Sequence, residues 1–134
     1  MAVKISNVDS YKYFGKCVKL ENDKIEVLVT KDIGPRIIYF GVKGGENLFR
    51  TDDDQINVSN SPLLKELFGP DAEYRFYGGH RMWLAPQMML YTESPDNSPV
   101  EIEEIENGVI ATAPEAKVIG FIAKMTVVMD PEKP

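Results

Sequence analysis

Short runs of β-branched and aromatic residues, separated by turn residues, are the feature that most constrains the fold of this chain. Residues 16–20 and 25–30 flank a four-residue polar loop and predict a β-hairpin. Residues 100–106 and 109–113 flank an Asn-Gly pair, which is a strong short-range hairpin signal. Residues 36–42 predict a further strand. Several short strands with turns between them indicate an all-β fold, an antiparallel β-sandwich.

Three other segments complete the predicted architecture. Residues 118–129 are almost continuously apolar, which is typical of a long strand at the centre of a sheet. Residues 47–50 form a short run after a Gly-Gly turn. Residues 61–68 begin with a serine cap followed by proline and predict a helix of two turns at most. Between residues 51 and 99 there is little strand pattern, and long loops inside a compact domain are usually functional, so we look for function there.

The composition excludes several classes of protein. A length of 134 residues suits one domain, residues 1–134. The 15 basic residues against 21 acidic ones give a net charge of −6, which disfavours nucleic acid and membrane surfaces as partners. A single cysteine cannot form an internal disulfide. No run has the length of a signal peptide or a membrane span, so the expected location is cytoplasmic.

The segment 74–87 concentrates residue types that suit a sugar site. It holds the only histidine and the only tryptophan of the chain, together with two arginines and further aromatic residues. Aromatic faces cover the C–H patches of a sugar ring, and planar polar groups pair with its hydroxyls. A histidine can also exchange a proton near neutral pH. The candidate ligand-binding residues of this segment are Arg75, Tyr77, His80, Arg81, Trp83 and Gln87.

A purely structural interpretation of the same segment is also open. In it, an apolar group forms core, His80 is a hydrogen-bonding residue, and Arg75 and Arg81 pair with the carboxylates of residues 52–54 or Asp71. The apolar group consists of Met82, Trp83, Leu84, Met88 and Met89. The three aspartates of residues 52–54 lack the spacing of a calcium loop, and one histidine with one distant cysteine predicts no zinc site. We expect no metal and no cofactor.

Two segments resemble the galactose mutarotase-like superfamily, which contains the aldose 1-epimerases. Residues 33–41 read IGPRIIYFG and residues 45–49 read GENLF, similar to an early strand pair of that superfamily. Residues 77–86 read YGGHRMWLAP, similar to its loop over the sugar cleft. The resemblance implies a β-supersandwich with a sugar in a shallow groove. It places His80 in the groove as the acid and Arg81 there as a sugar ligand. Trp83 and Tyr77 form the walls of the groove. Arg36, from the first motif, is a further substrate-binding residue.

The chain also departs from the catalytic members of that superfamily. They are longer, and both their late glutamate base and their later histidine-glycine pair have no equivalent here. We therefore expect a carbohydrate-binding domain that is catalytically incomplete, the N-terminal half of a larger supersandwich, with unpaired strand edges that favour homo-oligomers. Two alternatives are a structural or protein-interaction β-domain without a sugar site, and a small aldose 1-epimerase completed by a homodimer.

Overall fold

A five-stranded antiparallel sheet forms the first layer of the protein. The computed structural model describes residues 2–88, 91–92 and 94–134. The strand order in this sheet is β1-β2-β3-β4-β7, so neighbouring strands are mostly consecutive in the chain. Its strands are β1 (Lys4–Val8), β2 (Cys17–Glu21), β3 (Ile25–Thr30), β4 (Arg36–Val42) and β7 (His80–Arg81).

A three-stranded antiparallel sheet forms the second layer, in the order β10-β9-β8. It is built from β8 (Glu101–Ile105), β9 (Gly108–Thr112) and β10 (Lys124–Val128). A further pair of two-residue strands and two short helices lie outside these sheets. They are β5 (Val58–Ser59) with β6 (Tyr74–Arg75), helix α1 (Pro62–Phe68) and a 3₁₀ turn (Lys12–Phe14). Strands dominate and pair antiparallel, which confirms the predicted all-β fold.

The main core lies between the two sheets. Alternate residues of β2 and β3 point towards the second sheet, because successive side chains of a strand face opposite sides. Burial of these aliphatic side chains from both layers is the main force that holds the sheets together. The first sheet contributes Val18, Leu20, Ile25, Val27 and Val29, and the second layer contributes Val100, Val109, Ala111 and Met129.

The opposite face of the first sheet divides into an apolar half and a charged half. In the apolar half, Leu28 and Ile38 pack against Phe14 and Tyr77. The charged half is occupied by an ion-pair network that lets the sheet face water. Its contacts are Lys19 Nζ to Glu21 Oε2 at 2.6 Å, Lys19 Nζ to Glu26 Oε1 at 3.0 Å and Lys43 Nζ to Glu21 Oε1 at 3.2 Å.

One amide side chain joins the β2–β3 turn to the last residues of the chain. The Oδ1 of Asn22 accepts hydrogen bonds from the backbone N–H groups of Lys24 at 2.8 Å and Ile25 at 2.9 Å. Its Nδ2 donates to the carbonyl oxygens of Asp130 and Lys133, both at 2.8 Å. Asn22 is only 4% exposed, and these four hydrogen bonds offset the cost of burying an amide.

The locally determined elements lie where the sequence predicts them. The hairpins β2–β3 and β8–β9 and the strand β4 are all present, and Asn107 in the second turn has φ of 57°, as a tight hairpin turn requires. Helix α1 starts after Ser61, whose Oγ accepts a hydrogen bond from the N–H of Leu64 at 3.1 Å. These predictions are confirmed.

The strand predicted for residues 118–129 is wrong over more than half of its length, and the short run of residues 47–50 is not a strand. Of residues 118–129, only β10 is a strand, and it lies at an edge of the three-stranded sheet rather than at the centre. The N–H of Gly120, which has φ of +70°, donates to the carbonyl of Ala116 at 2.9 Å, so the preceding residues form a turn. Residues 47–50 also form no strand, because the Asn47 side chain accepts from the N–H groups of Phe40 and Phe49 and turns the chain there.

Within the described part of the chain, no helix is long and apolar enough to cross a membrane.

Candidate functional site

An open cleft of about 930 Å³ lies beside the end strand β7 of the first sheet. β7 pairs with β4 so that Arg81 is opposite Arg36 and His80 is opposite Ile37. This pairing brings residues that are 45 and 43 positions apart in the chain into one wall. Five of the predicted residues line the cleft, namely Arg36, Arg75, His80, Arg81 and Trp83.

Two glycines allow the chain to enter the cleft next to β4. Gly78 and Gly79 have φ of +87° and +73°, a backbone conformation that other residues rarely adopt. A Cβ atom at Gly78 would collide with the carbonyl of Arg50, and one at Gly79 with the carbonyl of Ile37. The N–H of Gly79 donates to the Arg50 carbonyl at 2.9 Å. Both glycines are therefore required for the close approach of three backbone segments under the cleft.

Arg36 forms part of the floor of the cleft and is almost fully buried, at 3% exposure. Its NH1 donates to the Gly78 carbonyl at 2.6 Å, and its NH2 donates to Oδ2 of Asp96 at 2.7 Å. Its guanidinium also lies over the Tyr77 ring, 5.2 Å from the centroid. This arginine therefore holds together β4, the diglycine turn and the loop that carries Asp96.

Arg81 lies between two aromatic rings at the wall of the cleft. Its Cζ is 4.6 Å from the centroid of Trp83 and 5.4 Å from that of Tyr74, and its NH1 donates to the Tyr74 hydroxyl. Its Nε is 4.0 Å from Oδ2 of Asp96. Trp83 nevertheless remains 51% exposed. The cation–π contact holds the indole in place while leaving much of its surface open to solvent.

Two of the predicted ligand residues lie elsewhere. Tyr77 is buried behind the cleft, and its hydroxyl donates to Oδ1 of Asn97 at 2.6 Å. Burial raises the pKa of Tyr77 to about 12, so its phenol remains protonated well above neutral pH. Gln87 is exposed and does not line the cleft. The ring of Tyr77 packs against the Arg36 guanidinium and does not form a wall of the cleft.

A charged rim completes the cleft, and the sequence did not indicate it. Arg50 and the three aspartates of residues 52–54 line it, although these aspartates resemble an ordinary solvated turn in the sequence. Asp52 accepts from the N–H of Asn57 at 2.8 Å, and Asp53 pairs with Lys12 at 2.5 Å. The Lys12 and Thr51 hydrogen bonds lower the pKa of Asp53, which keeps it charged. Their role depends on long-range packing, which gives no local sequence signal.

The structural interpretation of this segment is wrong in its main points. Met82, Trp83, Leu84 and Met88 are all exposed, between 38% and 52%, and are not core residues. Met89 lies outside the described residues. All four exposed residues follow β7, the two-residue strand at the end of the first sheet.

The arginines also have other partners than that interpretation supposes. Arg75 pairs with Glu73 at 2.6 Å, and Arg81 faces Asp96. Neither pairs with the carboxylates of residues 52–54 or with Asp71 in the described part of the chain.

A smaller cavity of about 290 Å³ adjoins the same wall. It lies between the loop of residues 94–98 and the segment of residues 113–117, with Phe68 and Phe121 as apolar lining. Arg81 lines both this cavity and the cleft. The side chain of Arg81 therefore separates the cleft from the smaller cavity.

The cleft offers an aromatic surface, hydrogen-bond donors and hydrogen-bond acceptors within one open groove. Trp83 and Phe76 supply the apolar faces, the arginines donate, and the aspartates accept. Among the described residues, no group of three or more histidine, cysteine or carboxylate side chains is placed to hold a metal ion.

Comparison with known proteins returns no relative. No family model matches the chain, and neither the curated proteins nor the solved structures contain a match.

Proposed function

We propose that this protein binds a carbohydrate in the cleft beside β7. The observation that carries the proposal is the half-exposed indole of Trp83, stacked on Arg81 at a cleft lined by polar side chains. Trp83, Phe76 and Ile56 line the cleft and are each more than half exposed, and clustered exposed apolar side chains mark a ligand or partner surface. A ring held in place in this way is prepared to cover the C–H face of a sugar without a further loss of side-chain freedom.

The polar groups around the ring match the hydroxyl pattern of a sugar. Arg75, Arg50 and His80 can donate hydrogen bonds, and Asp54 can accept them. The cleft is open, which suits a ligand that keeps some of its hydroxyls in water. The resemblance of residues 77–86 to the sugar-cleft loop of mutarotase-like proteins supports the same conclusion.

Anomer interconversion in the same cleft is a second candidate function. His80 and three carboxylates line one cleft, so both an acid and a base are present at the proposed sugar site. A carboxylate would take the proton of the anomeric hydroxyl, the bond from C1 to the ring oxygen would break, and His80 would protonate that oxygen. Ring closure from the other face reverses these transfers, so no co-reactant is needed. These carboxylates differ in position from the late glutamate of the superfamily.

The experiment that tests sugar binding is calorimetric titration of a panel of free and phosphorylated aldoses, with thermal unfolding alongside. A ligand at a hundred times its dissociation constant should add about 2.7 kcal/mol to the free energy of unfolding. Trp83→Ala should abolish this effect. Leu48→Ala is the matched control, because Leu48 is 70% exposed and lines neither the cleft nor the smaller cavity.

The outcomes separate the candidate functions. Binding that survives Trp83→Ala would place the ligand elsewhere, and an absence of binding across the panel would contradict the proposal. If a sugar binds, NMR saturation-transfer measurements of anomer exchange at saturating sugar should show a rate that falls in His80→Ala by more than the loss of affinity explains. An unchanged exchange rate would leave binding as the function and exclude His80 as an acid.

A further inference from the structure

The outer edge of β10 is an unpaired hydrogen-bonding surface. At the two ends of the β9–β10 ladder, the N–H of Ala113 donates to Ala123 and the N–H of Met129 donates to Asn107, at 2.9 Å each. Hydrogen-bonded residues alternate along an antiparallel strand, so Met125 and Val127 bond to β9. The N–H and C=O groups of the alternate residues point away from the sheet. These are Lys124, Thr126 and Val128.

The side chains of these three residues are exposed as well. Val128, an apolar residue, is 61% exposed on this edge. No described segment forms a strand beside β10 on this side. Unpaired N–H and C=O groups on an edge are a template for another strand, and Lys124, a residue type that discourages such pairing, is the one charged side chain on this strand.

The other edges of the two sheets are less suitable for pairing with a copy of themselves. β8 bonds to β9 through alternate residues and leaves Ile102 and Glu104 pointing outward, on a strand in which three of five residues are glutamates. β7 has only two residues. By the same alternation, the residues of β1 whose N–H and C=O groups point away from β2 are Ile5 and Asn7. β10 offers three outward residues and carries no acidic side chain.

We propose that two copies of this protein associate through β10, antiparallel, with Thr126 of each copy directly opposite Thr126 of the other. This register pairs Lys124 with Val128 of the second copy, twice by symmetry. All three outward residues then form hydrogen-bonded pairs, which gives six backbone hydrogen bonds and one six-stranded sheet. A shift of two residues in either direction loses one of the three pairs. No like charges face each other across the strands, and the two threonines form a favourable cross-strand pair.

The first test is sedimentation velocity of the full chain at increasing concentration. The mean mass should rise from that of a monomer towards twice that value. Thr126→Pro should give a monomer at every concentration, because proline removes the outward N–H that would bond the second copy. The variant should still fold, because that N–H bonds nothing within one copy. Glu104→Pro is the matched control, since its N–H also points outward but on the β8 edge, and it should leave the dimer intact.

Changing the charge at residue 128 tests the register of the proposed β10–β10 pairing. Val128→Glu places a carboxylate opposite Lys124 of the second copy at two symmetric positions and should lower the dimer dissociation constant by about 2- to 30-fold. Val128→Lys should raise it by a similar factor. The double variant Lys124→Glu with Val128→Lys should restore the affinity of the Val128→Glu dimer.

Three results would overturn the proposal. They are a monomer at millimolar concentration, a dimer that survives Thr126→Pro, and a dimer whose dissociation constant does not respond to the sign of the charge at residue 128. A dimer lost in Glu104→Pro but not in Thr126→Pro would place the contact on β8 instead. Circular dichroism and thermal unfolding of each variant establish that a monomeric variant is still folded.

Discussion

The core between the sheets and the segment that forms the cleft are held in place by different forces. The core consists of aliphatic side chains from both layers, and each contributes by the area that it removes from water. The segment of residues 51–99 is attached through one buried ring, that of Tyr77, and a few directed bonds, chiefly those of Arg36 to Asp96 and to the Gly78 carbonyl. The difference implies that core substitutions weaken the whole molecule, whereas single polar substitutions at the attachment points displace the cleft.

The largest effect is expected from Asp96→Ala. This change leaves the nearly buried Arg36 guanidinium without its carboxylate and removes the charge that Arg81 faces. Loss of one partner of a buried ion pair costs about 3–5 kcal/mol, and chemical denaturation should show a fall of that order. Asp54→Ala, at an exposed position in the same cleft, should change the free energy of unfolding by less than about 0.5 kcal/mol. Equal effects of the two variants would contradict the role assigned to Asp96.

A core substitution should have a similar cost but a different signature. Leu20 is fully buried between the sheets, and Leu20→Ala should lower the free energy of unfolding by about 2–5 kcal/mol. Trp83 fluorescence and far-UV circular dichroism should still report a single shared transition in this variant. In Asp96→Ala, by contrast, the Trp83 signal should change first. Coincident transitions in both variants would mean that the cleft segment is as firmly integrated as the core.

Alkaline pH should destabilise the protein through two buried acids. Burial raises the pKa values of Tyr77 and Cys17 to about 12 each, above their ordinary values of 10.0 and 9.0. The folded state therefore retains these protons at a pH where the unfolded chain releases them. The stability from each group is fully present below its ordinary pKa and is lost as pH rises towards 12, at about 1.4 kcal/mol per pH unit within that window.

Denaturation at several pH values checks this dependence. Tyr77→Phe should remove the part of the slope between pH 10 and 12 that belongs to the phenol, and Cys17→Ala the part that begins near pH 9. If the free energy of unfolding depends on pH in the same way in the natural protein and in both variants, other groups cause the loss of stability at alkaline pH.

The smallest effect is expected at the N-terminal cap of α1. Ser61→Ala removes the acceptor for the Leu64 N–H and should cost about 1 kcal/mol. Ser61→Asp should preserve the cap and most of the stability. Thermal unfolding of both variants measures the difference, and equal losses would argue that the cap does not contribute.

The parts of the fold that were predictable are those determined by neighbouring residues. The β2–β3 and β8–β9 hairpins depend on short turns, and the start of α1 depends on Ser61, so adjacent sequence is enough to locate them. The strand predicted for residues 118–129 failed because Ile119 and Ile122 are apolar but exposed, and hydrophobicity alone does not distinguish an exposed turn from a buried strand.

The candidate site was predictable in composition but not in arrangement. The segment 74–87 was identified from its residue types, and Arg36, Arg75, His80, Arg81 and Trp83 do line one cleft. The Arg36–Asp96 pair joins residues 60 positions apart, and no spacing rule relates them. The acidic rim and the burial of Tyr77 are likewise products of tertiary packing.

The Asn22 side chain has a consequence for the order of folding. It stabilises a three-residue turn and also binds carbonyls 108 and 111 positions further along the chain. The local bonds close a small loop within the hairpin, whereas the distant ones require both sheets to have assembled. We therefore expect the same amide to serve the earliest and the latest steps of folding. Protection of the hairpin amides from hydrogen exchange should appear before the last residues dock, so docking of that tail marks the completion of the native state.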